Sequence, residues 1–560
     1  MSRLPDNLPP DPLAPRTPRV TLIMTVRERF SPTVSAIESV MANTAMPFHF
    51  VFADMRCPPW LSEAVAGLSH RHGFRVVRFD DMVWPQQVRK DLVDSVDTEY
   101  VVFLDNDLRV YPGWLEKLVE CADQTGAGLV GPLYLWGDDV APPRVHMAGG
   151  LLREIPQGDR RVLIERHNGY NADPDQAVAA LGRSPCDFLE FHCMLLRTSL
   201  AQEPDLLDPR IASVHEHIDV ALTARGKGHA IYLETASRVL YRAFIPTMLE
   251  DLPLMLWRWS QAAVDASIAA FSAKWRVIDD ERSFGPVRDF AQRVLRSVAL
   301  VRPASRRADL DRPMAAGELA QTRSGLLDLA AVRGYAPAEL ADLALCHGLA
   351  ARLMNGGFRP CGRPFINHLA GTAAVLLRYD LRIETVAAGL LHAAYSHGWA
   401  PGNDAAAQCA GITAQLGQGS PVERRVRAYA QRHGQPLRVA GSMTLDAAEI
   451  ALIEAANEID MRFSGEYDYS GRPPEIDDER LAGLMQVCRA VGLDGLAQTL
   501  RLAAGQVRPV IPELKTGISA SYRLAANGSL QRMVRQTVFP PAQAGPGRRA
   551  EIGGPGPQDR

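Results

Sequence analysis

Between Val20 and Tyr241 the chain alternates short apolar runs with amphipathic stretches. "VTLIMTV", "FHFVFADM", "FRVVRF" and "YVVFLDND" are rich in β-branched and aromatic residues and read as strands. "SPTVSAIESVMANT" and "PQQVRKDLVDSVD" lie between them and read as helices. Strands that alternate with helices predict an α/β domain with a Rossmann-like, mostly parallel sheet. Ligands of such sheets bind beyond the carboxyl ends of the strands. Three of the four runs end on polar or acidic residues there: Thr25 with Arg27, Asp54, and Asp105 with Asp107. After Tyr241 the strand pattern fades. "LPLMLWRWSQAAVDASIAAFSAKWRV" has helical spacing, "RPASRRADLDRP" reads as a linker, and an Ala- and Leu-rich region follows.

Five segments are therefore expected. They are a disordered 1–17, an α/β domain over 18–245, a helical extension and linker over 246–311, an all-helical domain over 312–538, and a Pro/Gly-rich disordered tail over 539–560. The 560 residues are 47% hydrophobic and 22% charged, with a formal net charge of −3, so bulk charge gives no reason to expect nucleic acid as partner. No uncharged apolar run approaches the roughly 18 residues that span a bilayer. The opening "MSRLPDNLPPDPLAPRTPRV" lacks the apolar core of a signal peptide. The eight cysteines show no CxxC or zinc-finger spacing. Together these features predict a cytoplasmic protein with reduced thiols.

Chemistry concentrates at "DND". Two aspartates at i and i+2 leave a strand on one side, where they close a turn or hold a divalent cation. The order of landmarks around them resembles the family-two glycosyltransferases of the GT-A fold. "VTLIMTVRERFSPTVSAIESV", "HFVFADMRC", "VRKDLVDSVDTEYVVFLDNDLRVYPGWLEKLVECA", "CDFLEFHCMLLRTSL" and "SVHEHIDVALTARGKGHAIYLETASRVLY" carry the resemblance over residues 18 to 245. It implies inverting transfer of a sugar from a nucleotide-sugar to the hydroxyl of a glycan, lipid-linked or small-molecule acceptor. Mg²⁺ or Mn²⁺ would neutralise the leaving diphosphate.

By the family pattern Asp107 ligates the ion, and Asp105 contacts the ribose or the ion. Asp54 reads the nucleobase and Arg89 stands near the diphosphate, while Thr25 and Arg27 line the donor crevice. Asp54 as a turn cap and Arg89 as a solvated helix residue are the structural alternatives. The catalytic base is expected in "HEHID", where His217 stands at the usual base position between Glu216 and Asp219, and each of the three remains open for that role. "ASRVLY" lacks a histidine that some relatives give to the metal.

The helical region contains His347, His368, His392 and His397. "GRPFINH", "AAGLLHA" and "EAANEIDMR" resemble the HD-type hydrolase domain of bacterial alarmone synthetase/hydrolases over residues 341 to 465. The defining His-Asp doublet is His392-Ala393 here, Asn457 replaces the later aspartate, and Ser396-His397 replaces an acidic pair. The resemblance implies a degenerate HD-like module. Its site would keep His368, His392, His397 and Asn457 but lack carboxylates to balance a cation. A nucleotide-binding phosphohydrolase or alarmone-responsive protein, or a non-catalytic interaction protein, is the alternative for the whole chain.

Overall fold

The computed structural model describes residues 17–505, apart from 138–141, 243–246, 303–306, 355, 399–404, 433–442, 471–473 and 475. Residues 1–16 of the expected N-terminal disordered segment lie outside the described residues. So do the tail 539–560 and the 506–538 part of the expected helical domain. The chain divides into two compact units, Met1–Val298 and Ala299–Arg560.

The first unit contains β1 (Val20–Thr25), β2 (His49–Met55), β3 (Arg75–Phe79), β4 (Tyr100–Asp105), β5 (Leu108–Val110), β6 (Leu129–Trp136), β7 (Arg144–Met147), β8 (Gly150–Gln157), β9 (Arg160–His167), β10 (Ser184–Pro185), β11 (Cys193–Arg197) and β12 (Ile231–Tyr241). The main sheet runs β10-β12-β6-β11-β4-β1-β2-β3. The block β3-β2-β1-β4 is parallel. Every residue of β1 and β4 is buried, as unbroken apolar runs covered on both faces should be. The sheet as a whole is mixed, because β11 inserts antiparallel between β4 and β6. β8 and β9 form a separate hairpin.

Register sets the chemistry. Thr25 pairs with Asp105, so β1 and β4 end together. The β11–β4 pairing matches Cys193 to Leu104, and the Asp105 amide donates to the His192 carbonyl at 3.1 Å. His192 is thereby fixed beside the exit of β4.

Asn106, between the two aspartates, is wholly buried. Its Oδ1 accepts from the Arg27 amide at 3.1 Å, and its Nδ2 donates to the Arg29 carbonyl at 2.6 Å and to Thr33 Oγ1 at 2.7 Å. It thus ties the β1 exit to the β4 exit. Asn106→Ala leaves these buried groups unsatisfied and should cost about 2–3 kcal/mol of stability, read from the midpoint of chemical denaturation.

The stretch expected as a helical extension supplies Leu252–Arg258, Gln261–Trp275 and Glu281–Val298, which belong to the first unit. Ser267 Oγ accepts from the backbone amides of Ala212, Ser213 and Val214, tying this stretch to the segment before the helix Glu216–Gly226.

The second unit is helical. Its two central helices, Phe365–Arg378 and Leu445–Phe463, are almost wholly buried. Gly371 lets them approach, since a Cβ there would collide with the Asp460 carboxylate. Gly371→Ala should therefore destabilise this unit by about 1–3 kcal/mol in thermal or denaturant unfolding. Among the described residues no helix is long and apolar enough to cross a membrane.

Candidate functional site

The exits of β1 and β4 converge on a buried ionic cluster. Asp105 is fully buried. Its Oδ1 accepts from Arg89 Nη2 at 2.9 Å, and its Oδ2 lies 3.4 Å from Arg27 Nη1 and 3.3 Å from His192 Nδ1. Burial alone would raise the Asp105 pKa, but Arg27, His192 and Arg89 outweigh it and hold the carboxyl below its usual range. Arg27 also meets Glu216 Oε1 at 2.7 Å, joining β1 to the start of the helix Glu216–Gly226. Arg89 is fully buried, with its guanidinium 3.9 Å from the Phe191 ring centroid. Thr25 is buried in the same row, and its hydroxyl makes no hydrogen bond within the described structure.

Asp107 differs from Asp105. It is equally buried, yet neither carboxylate oxygen has a hydrogen-bond partner within the described structure. Burial, reinforced by Glu28 and Asp105 and opposed by His192, pushes its pKa up to about 6. An ionised carboxylate in such a place calls for a cation. Oxygen and nitrogen atoms of Asp105, Asp107 and His192 all lie within 4.8 Å of one another, an arrangement able to hold a metal ion. His192 stacks on Tyr241, ring centroids 4.3 Å apart. Burial disfavours its imidazolium, but the close Asp105 carboxylate, with Asp107 and Glu190, outweighs that and raises its pKa.

Sequence reasoning missed His192, because its place depends on the antiparallel insertion of β11. It supplies a nitrogen that "ASRVLY" lacks; that segment forms the end of β12 and contributes Tyr241 to the stack.

Of the other donor-crevice residues, Thr25, Arg27, Arg89 and Asp105 are brought together. Asp54 is engaged elsewhere. At the end of β2 it accepts from the Cys57 amide at 2.9 Å and from Ser62 Oγ at 2.8 Å, and it lies 3.3 Å from Arg78 Nε. It borders a cavity lined also by Arg56, Arg78 and Asp80.

The three acids and bases of "HEHID" face different partners. Glu216 is committed to Arg27. Asp219 accepts from Trp275 Nε1 at 2.7 Å and pairs with Lys274 Nζ at 2.7 Å, both from the helix Gln261–Trp275. His217 is buried with neither ring nitrogen hydrogen-bonded, and its Nε2 faces Glu190 at 3.6 Å and Glu165 at 3.9 Å. Glu165 and Glu190, not singled out in the sequence, enter through the β8–β9 hairpin and the approach to β11. His215, at φ 65°, starts the helix and pairs with Glu165 at 3.0 Å.

In the second unit, His368 and His392 adjoin, with ring centroids 5.3 Å apart. His368 Nδ1 lies 2.6 Å from Asp460 Oδ2, and His392 Nδ1 lies 2.7 Å from the Gly389 carbonyl. Asn457 is buried one helical turn before Asp460. His397 packs near Phe365, ring centroids 5.1 Å apart. Asp460, the carboxylate that sequence reasoning passed over, also pairs with Arg363. Burial, opposed by Arg363, pushes its pKa up to about 6. Among the described residues, the clusters of histidine and carboxylate able to hold a metal, Asp105 with Asp107 and His192 and, beside them, His146 with His167 and Glu190, lie in the first unit.

Residues 21–182 match the family described as glycosyl transferase family 2. That span contains Thr25, Arg27, Asp54, Arg89, Asp105 and Asp107, and it stops before His192 and the 215–219 segment. No match was found among curated proteins. A similar solved structure is a crystal structure of GalNAc-T7 with UDP, GalNAc and Mn²⁺. It is 13% identical with a TM-score of 0.33, and the alignment covers 49% of this chain and 54% of that one, so this chain spans about half the length of that structure.

Proposed function

We propose that this protein is an inverting GT-A glycosyltransferase, moving a sugar from a nucleotide-sugar to the hydroxyl of a glycan, lipid-linked or small-molecule acceptor. The observation that carries the reading is Asp107, whose buried carboxylate lacks hydrogen-bond partners beside Asp105 and His192. The family match over residues 21–182 supports the same class. Asp105, Asp107 and His192 would hold Mg²⁺ or Mn²⁺, which when bound supplies positive charge to the diphosphate that leaves. Arg27 and Arg89 hold Asp105 ionised and oriented. Thr25 would line the donor crevice, and Asp54 would read the nucleobase once released from Ser62 and Arg78.

His217 is the proposed base. It takes the proton of the acceptor hydroxyl as that oxygen attacks the anomeric carbon and the bond to the diphosphate breaks. Its ring is free of hydrogen bonds and faces two carboxylates, whereas Glu216 and Asp219 are already engaged. Glu165 would stabilise the imidazolium that forms.

The transferase domain is assigned to residues 18–245, with the extension over 246–311 and a degenerate HD-like domain over 312–538. In that domain Arg363 lies on Asp460 and supplies the positive charge that a metal ion would otherwise bring. A cytoplasmic location fits the sequence. The deciding experiment is a screen of nucleotide-sugars for Mn²⁺-dependent release of the nucleoside diphosphate by the full chain. Release with one donor, enhanced by an acceptor, is expected; no release with any donor, with or without Mn²⁺, defeats the reading.

A further inference from the structure

We propose that His146, His167 and Glu190 form a second metal site, for a transition-metal ion of the Zn²⁺ class. One donor atom from each lies within 4.8 Å of the other two. The ligand set differs in kind from the neighbouring Asp105, Asp107 and His192. Two imidazoles and one carboxylate suit Zn²⁺ and similar borderline ions, and three protein ligands leave a fourth position for water or a hydroxyl. A set dominated by carboxylates suits Mg²⁺ or Mn²⁺.

Distances favour an ion over direct bonding. His167 Nε2 and Glu190 Oε1 stand 3.6 Å apart, too far for a hydrogen bond. Two donors on one tetrahedral Zn²⁺, each at about 2.1 Å, are about 3.4 Å apart. The observed gap is close to the edge of that tetrahedron, so small side-chain adjustments admit the ion. The His146 ring lies 5.4 Å from the His167 ring at 87°, and its buried Nδ1 has no hydrogen-bond partner within the described structure. Glu190 is buried, and among the described residues it pairs with two histidines, His167 and His217, each at 3.6 Å.

The backbone holds these residues before any ion arrives. His167 pairs with Gly150 across the β8–β9 hairpin, and the Gly150 amide donates to the Phe188 carbonyl at 3.0 Å, two residues before Glu190. The Ala148 amide donates to the Asn168 carbonyl at 2.9 Å, and the Asn171 amide to the Val145 carbonyl at 2.8 Å. His146 and His167 therefore sit on adjoining, mutually bonded backbone. A site on three fixed segments loses little entropy on binding. The opposing account is an aromatic and imidazole cluster that packs without an ion.

The two accounts separate in metal binding by the full chain. Chelator-stripped Asp107→Ala protein, with the first set disabled, is titrated with Zn²⁺, and bound metal is measured by elemental analysis. Co²⁺ replaces Zn²⁺ for visible absorption. One equivalent of Zn²⁺ is expected, with affinity falling more than about 100-fold when H167A or E190Q is added to that background. Near- and far-ultraviolet circular dichroism should be unchanged in E190Q, which keeps side-chain size and carries the test if H167A does not fold. No uptake by the Asp107→Ala protein, or uptake retained in both double variants, overturns the site. The proposal does not rest on the transferase reading, because metal stoichiometry is read without substrate.

Discussion

Asp107→Ala is expected to abolish divalent-dependent binding of the nucleotide-sugar and to lower transfer by about 10²–10⁴-fold. The size follows from the role. A cation on a leaving diphosphate is worth several kcal/mol, and each 1.36 kcal/mol is a factor of ten in rate. The side chain has no hydrogen bond to lose, so its removal should leave the metal-free fold as stable as before or more so. Mn²⁺ with a nucleoside diphosphate should raise the melting temperature of the wild-type chain and not that of the variant. Isothermal titration with and without Mn²⁺ reads the binding directly. Unchanged Mn²⁺-dependent affinity would remove Asp107 from the metal site. The neighbouring Asp105→Ala should behave differently: it strands Arg27 and Arg89 without their carboxylate partner, so it should also destabilise the fold.

The second large effect concerns His217. His217→Ala should lower kcat by about 10²–10⁴-fold while donor affinity is retained, the signature of a lost base. Asp219→Asn keeps an acceptor for Trp275 and Lys274 and should change turnover little. Glu216→Gln weakens the hold of Arg27, and thereby that of Asp105, so its loss should appear in donor binding as well as in turnover. Single-turnover rates and donor KM for the three variants distinguish these patterns. Near-neutral turnover in all three would place the base elsewhere in the chain.

The legible part of this fold was the part written in local pattern. β1 and β4 are continuous apolar runs, β2 is nearly so, and β3 is a short β-branched pair between two arginines; the polar residues at the run ends pointed to Thr25, Arg27 and Asp105. Arg89 was placed near the site, but not as a buried partner of Asp105, because a helix arginine in sequence looks solvated. His192 was not legible. Nothing in "LEFHCMLLR" says that its strand runs against β4, and only that pairing sets the ring beside Asp105 and Asp107. The hairpin of β8 and β9 left only a turn signal, Gly158-Asp159 ahead of "RRVLIERH", and Glu165 and His167 come with it. Its partner Glu190 comes from 23 residues farther along and has no local signature. In the helical unit, attention to Asn457 hid Asp460, one turn later on the same face, where the carboxylate of the network stands.

The insertion of β11 between β4 and β6 has a consequence for synthesis on the ribosome. A nascent chain that has released β1 to β6 cannot yet join β4 to β6, because the strand that separates them ends at Arg197. β6 must then wait for its parallel neighbour β12, which ends at Tyr241. Until both emerge, two apolar strands present unpaired edges, the condition that invites chaperones and misassociation. A fragment cut at residue 182, where the family match ends, would keep those edges open permanently. It should be recovered as aggregate, whereas a fragment carried through Val298 would be able to close its sheet.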